Sequence, residues 1–219
     1  MLEIVTLVLG FAATNCYLIA EAVSGEAVVI DPAWDGHAIL SAAQKRGWKI
    51  GQFWYTHAHF DHFGASAELA EALQASAVPG DRFPLSVALH SLEKELWQNE
   101  GGAPLFGMHI DPGPEPTILL SHGQILRLGN IEFEARHTPG HSPGHVAYYC
   151  AESAVLFSGD LIFQGSVGRT DLPGGDWNPL VESIRNQVYN LPDETRILPG
   201  HGAETSVGEE KHSNPFVRI

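Results

Sequence analysis

The sequence predicts an α/β fold in which two β-sheets are flanked by helices. Strand-like apolar runs come in two batches, and each batch is followed by helical patterns. Histidines and aspartates gather just after several of those runs, where a strand delivers its C-terminal end.

The first batch comprises Leu2–Leu9, Tyr17–Ala20, Ala27–Ile30 and Ile50–Tyr55, with Pro32 and Gly36 marking the turn after the third. Met1 to Ala20 reads as two buried strands. Glu3 is the only charge ahead of the apolar stretch, where a secretory leader carries Lys or Arg. Asn15 and Tyr17 then interrupt the run before it reaches membrane-spanning length. A helix is predicted over His37 to Arg46, closed by Gly47, and a second from about Asp61 to Ala75. Between Asp81 and Pro116 the pattern loosens into a loop-rich insertion with one short helix, Leu89 to Gln98.

The second batch starts with Ile125–Leu128 and Ile131–Ala135 around a Gly129-Asn130 turn, a hairpin signal. Val146–Cys150 and Ala154–Phe157 form another strand pair. A helix from about Asn178 to Leu191, a strand at Arg196–Leu198 and a coil-rich C-terminus complete the chain. This order describes two βα halves packed sheet on sheet within a single domain spanning 1–219, with 81–116 as an insertion near the site.

Of 219 residues, 44% are hydrophobic and 17% charged, enough apolar material for a core. A net charge of −14 disfavours nucleic acid and anionic membranes as partners. Two cysteines, Cys16 and Cys150, are too few for a disulfide framework and fit a reducing, cytoplasmic setting.

Chemistry concentrates in Thr56-His57-Ala58-His59-Phe60-Asp61-His62, directly after an apolar run. His57 and His59 are two apart, so an extended segment points both to one side. Asp61 and His62 follow at the start of a helix. One carboxylate could be a mere helix cap, but four such groups at this spacing point to a metal site. Imidazole and carboxylate without thiolate suit zinc, manganese or iron. Further candidates follow strands: His141 and His145 in the loop His137–His145, Asp160 in Ser158-Gly159-Asp160, and His201 in Pro199-Gly200-His201-Gly202.

His57-Ala58-His59-Phe60-Asp61-His62, followed by His141, Asp160 and His201, resembles the metallo-β-lactamase superfamily. Thr138–His145 and Gly165–Asp171 look like the glyoxalase II type of hydrolase, closest to its short bacterial members. The resemblance implies an αββα sandwich with the site at one edge. It implies two divalent ions, zinc first, with iron or manganese as alternatives. His57, His59 and His141 would hold one ion, Asp61, His62 and His201 the other, and Asp160 would bridge them. Asp31 would support the ligands, and His145 could do the same or serve as a loop hydrogen-bonder.

The implied reaction is hydrolysis of a small-molecule acyl thioester of the S-lactoylglutathione kind. A metal-bridging hydroxide would be the nucleophile, oriented by Asp61. Arg169 stands where a basic glutathione contact is expected, or closes its loop on Asp171. Ala203 replaces an expected glutathione-contacting tyrosine, and the C-terminal helical extension of longer members has no counterpart. The alternative is a persulfide dioxygenase, which resembles this chain in the same motif and in Gly168–Asp171. It would use one iron at His57, His141 and Asp160. A non-catalytic metal-binding role is the third reading. The other histidines (His37, His90, His109, His122, His137 and His212) match no ligand position and read as surface or loop residues. Oligomeric state is not legible.

Overall fold

The computed structural model describes residues 1–76 and 85–218. By internal contacts it divides into two compact units: Met1–Leu89, Lys94–Leu119 and Leu128–Ile131 form the first, and His90–Glu93, Leu120–Arg127 and Glu132–Ile219 the second.

The first unit is built on a mixed sheet of order β1-β2-β3-β4-β5-β6. Its strands are β1 (Leu2–Leu9), β2 (Thr14–Glu21), β3 (Glu26–Ile30), β4 (Lys49–Trp54), β5 (Ser86–His90) and β6 (Ile118–Leu120). β1, β2 and β3 meander antiparallel, after which β3, β4 and β5 run parallel. The parallel steps require crossovers. α1 (Gly36–Gln44) makes the first; α2 (Phe60–Phe63) and α3 (Ser66–Ser76) precede β5. α4 (Lys94–Gln98) follows it.

The second unit holds a mixed sheet of order β14-β13-β10-β9-β8-β7. These strands are β7 (Gln124–Leu128), β8 (Ile131–His137), β9 (Val146–Cys150), β10 (Val155–Gly159), β13 (Arg196–Pro199) and β14 (Thr205–Ser206). β11 (Ile162–Phe163) and β12 (Ser166–Val167) make a separate two-stranded ribbon. β8, β9 and β10 are antiparallel neighbours, while β10 and β13 run parallel, with α5 (Trp177–Ser183) between them in sequence. α6 (Val207–Ser213) lies near the C-terminus. The fold class is α/β with two mixed sheets, as the sequence predicts.

Several elements differ from the sequence expectation. β2 is buried along its whole length, but β1 is half-exposed because it is the sheet edge. The helix expected over Asp61 to Ala75 is two helices, broken at Gly64 and Ala65, where the Ala65 N–H donates to the Pro32 carbonyl at 3.0 Å. The helix expected from Leu89 starts at Ser91, as a 3-10 turn (Ser91–Glu93) that runs into α4, because Leu89 and His90 end β5. Residues 81–84 of the expected insertion lie outside the described residues. The expected C-terminal coil contains α6, whose Ser206 cap accepts from Glu209 N–H at 3.2 Å. That is a Ser-x-x-Glu start signal legible in the sequence.

Candidate metal centre

In the first unit, Asp31 directly follows β3 and the turn His57–His62 follows β4. The two strands are parallel neighbours, so both segments emerge at the same end of the sheet. Buried Asp31 has φ 52°. Its Oδ1 accepts from Thr56 N–H at 2.7 Å, and its Oδ2 from the Thr56 hydroxyl at 2.6 Å and His62 Nδ1 at 2.9 Å.

These bonds assign the imidazole tautomers. A carboxylate only accepts, so His62 carries its proton on Nδ1. Thr56 donates its one hydroxyl proton to Asp31 and can therefore only accept from His57 Nδ1, 3.0 Å away. Both rings are thereby left with Nε2 as the lone-pair nitrogen, the form a metal requires. His57 and His62 are fully buried, and their ring centroids are 4.2 Å apart. His59 stands edge-on to His57 at 4.8 Å between centroids. Asp61 Oδ2 lies 3.8 Å from His62 Nε2. Asp61 is not the helix cap, because His59 occupies that position.

In the second unit, parallel β10 and β13 deliver Asp160 and His201 to one sheet edge. His141 sits in the loop between β8 and β9. Asp160 Oδ2 is 3.6 Å from both His141 Nε2 and His201 Nε2. That is too long for a hydrogen bond. It matches the roughly 3.4 Å between donor atoms around a tetrahedral ion with bonds of about 2.1 Å.

His141 donates from Nδ1 to the Arg169 carbonyl at 2.8 Å, which again leaves Nε2 as the lone-pair nitrogen. His145 works the other way round. Its Nε2 accepts from the Asp160 backbone N–H at 3.1 Å, so its proton sits on Nδ1, 2.8 Å from Thr138 Oγ1. His145 thus braces Asp160 through the main chain. Gly168 packs so tightly on this segment that a Cβ there would lie 1.8 Å from the Asp160 carbonyl oxygen.

The donor set in each unit fits a borderline divalent metal: imidazoles, with Nε2 lone pairs assigned at His57, His62 and His141, carboxylates and no thiolate. Arg169 is exposed, and its guanidinium forks onto Asp171 at 2.7 and 2.8 Å, holding that carboxyl down at about pKa 2. Sequence reading missed three supports: Thr56, Thr138 and the Arg169 carbonyl. Thr56 and Thr138 adjoin the motifs in sequence, whereas a backbone acceptor leaves no sequence signal. His90 is also not a surface residue. It is buried and stacks on His137, ring centroids 4.3 Å apart.

The metallo-β-lactamase superfamily model matches residues 9–201. The chain belongs to that superfamily. Its α/β fold is therefore the superfamily's own, with a His/Asp set able to bind metal. It is 34% identical to the hydroxyacylglutathione hydrolase GloC of Haemophilus influenzae, covering 93% of this chain and 92% of that protein. Among solved structures, BLEG-1 B3 metallo-β-lactamase superposes with a TM-score of 0.86 at 37% identity, covering 99% of both chains. TTHA1623 in a di-iron-bound form does so with 0.84 at 41%, covering 97% of this chain and 100% of that one. No described helix is long and apolar enough to cross a membrane.

Proposed function

We propose that this member of the superfamily is a binuclear metallohydrolase of small-molecule acyl thioesters, of the S-lactoylglutathione kind. His57, His59 and His141 would hold one ion, Asp61, His62 and His201 the second, and Asp160 would stand between them. The carrying observation is that this donor series is intact in a chain 34% identical, nearly end to end, to a hydroxyacylglutathione hydrolase. The 41% identity to a protein solved with two irons supports two ions and makes iron as reasonable an occupant as zinc.

Bound there, the ions would supply a nucleophilic water of lowered pKa and a Lewis acid for the reacting carbonyl. The protein's part is positioning. Asp31 and the Arg169 carbonyl hold the rings of His62 and His141 in one tautomer, Thr56 does so for His57, and His145 holds the Asp160 backbone. Asp61 accepts a hydrogen bond from the attacking water and orients it. No cysteine is needed as nucleophile. Cys16 and Cys150 are both buried, and burial pushes the Cys16 thiol far up. A thiolate leaves readily, so no dedicated general acid is required. The Arg169–Asp171 fork and Ala203 favour a thiol portion broader than glutathione alone.

Metal quantification paired with a substrate panel tests this reading. The panel is S-lactoylglutathione, simple acyl thioesters, a β-lactam and a phosphodiester. Two ions per chain with thioester turnover abolished by Asp160→Ala is the expected result. One iron per chain with oxygen uptake on glutathione persulfide would overturn it in favour of an oxidoreductase. Tight metal loading without turnover of any panel member would leave only metal binding.

A further inference from the structure

Within the first unit, aromatic side chains collect around the metal-ligand turn itself. Phe60 lies between His59 and Asp61 in sequence. Its ring is 5.5 Å from Phe106 and 6.3 Å from Phe11, centroid to centroid, and Phe11 is 5.6 Å from Trp34. Phe60 is buried, but Phe11 is 70% exposed and Phe106 is 54% exposed. Exposed apolar surface of this kind, continuous with a functional turn, marks a place where something apolar binds.

Two glycines build this shelf. Gly10, in the β1–β2 turn with φ 70°, lies where a Cβ would meet the Trp34 ring at 1.9 Å. The turn can therefore fold onto Trp34 and carry Phe11 with it. Gly101, with φ 61°, lies where a Cβ would meet the Phe60 backbone nitrogen at 2.4 Å. Only a glycine lets the segment after α4 approach the ligand turn so closely. That segment is pinned behind the shelf: Glu100 accepts from Ile110 N–H at 3.0 Å and pairs with His109 at 3.1 Å. The shelf residues themselves (Phe11, Trp34, Phe60 and Phe106) are all aromatic and uncharged.

We infer that this aromatic shelf binds the acyl chain of the substrate and makes Phe11 and Phe106 specificity-determining residues for medium-length aliphatic or aromatic acyl thioesters. The inference rests on the proposed thioester reaction. Of the two halves of such a substrate, a glutathione-like thiol carries carboxylates, which gain nothing from a surface of bare rings. The acyl group is the half that can be wholly apolar. Each methylene laid on the shelf leaves water, so affinity should climb with chain length until the rings are covered.

The test measures binding to the metal-loaded full chain by calorimetry. The probes are acetyl, butanoyl and octanoyl analogues of S-acyl-N-acetylcysteamine in which a methylene replaces the sulfur. The octanoyl analogue should bind roughly tenfold or more tightly than the acetyl one. The double variant Phe11→Ala/Phe106→Ala should collapse that ratio, while Phe11→Leu/Phe106→Leu, which keeps apolar surface, should retain most of it. Circular dichroism and metal content confirm that the variants are folded and loaded. Equal affinities along the series, or an unchanged ratio in the double alanine variant, would overturn the inference. Chain-length-dependent binding without hydrolysis of any thioester would keep the shelf and defeat the hydrolase reading.

Discussion

The Asp31 carboxylate takes the Nδ1 proton of His62 at 2.9 Å with the same oxygen that takes the Thr56 hydroxyl proton at 2.6 Å. One buried oxygen thereby sets the tautomer of His62 directly and of His57 through Thr56. Replacing Asp31 by Asn puts a neutral amide where both donors need an acceptor of full charge. Metal affinity should fall roughly 10- to 100-fold, measured by competition with a chromogenic chelator. An unchanged affinity would show that tautomer control by Asp31 is not needed for binding.

Gly168 has an ordinary φ, so its demand is steric: a Cβ would sit 1.8 Å from the Asp160 carbonyl oxygen. Gly168→Ala should therefore cost about 3 kcal/mol or more in urea unfolding and lower metal content through Asp160. Gly165 is the control. Its φ is 65° but no atom lies within 4 Å of a Cβ there, so Gly165→Ala should cost only about 1 kcal/mol. Equal costs at the two positions would contradict this account.

His145→Phe removes the acceptor of the Asp160 backbone N–H and leaves that buried donor unsatisfied. The expected loss is about 1–3 kcal/mol of stability, with hydrolytic turnover falling more than metal content. His145→Gln can still accept that hydrogen bond and should recover part of both losses.

His90 has a pH signature. Burial first, and the stacked His137 second, push its pKa from 6.5 down to about 4. The folded state therefore holds His90 neutral while the unfolded chain binds a proton below about pH 6.5. Stability from this group is complete above pH 6.5, declines as pH falls through the window, and has gone below about 4. The loss should be on the order of 2 kcal/mol, after discounting for the solvent that still reaches the ring. Thermal melting from pH 7 to 4 should show a shallower decline in His90→Phe than in the parent.

The candidate ligand residues stand out in the sequence because they are grouped in short motifs or placed directly after apolar runs. His57 to His62 occupy one turn after β4, and Asp160 and His201 follow β10 and β13. The break at Gly64 and Ala65 is not legible, because the Ala65 N–H turns to the Pro32 carbonyl, more than thirty residues earlier in the chain. Nor was the burial of His90, since a strand's last residue can face either way and only its stacking partner decides. α6 carries a legible Ser206–Glu209 start signal, set within a coil-rich composition that hides it.

The sequence by itself determined the α/β class, the superfamily resemblance and the residue types able to hold metal. Those follow from period, turn chemistry and motif spacing, all local properties of the chain. Only the tertiary structure decided which nitrogen of His57, His62, His141 and His145 carries the proton, that the Arg169 carbonyl orients His141, and that Phe11 and Phe106 meet Phe60. Hydrogen bonds to Asp31 cross from β3 to the turn after β4, and the shelf joins a hairpin turn to a segment ninety or so residues later. Such contacts depend on how the backbone returns to itself, which no local pattern encodes.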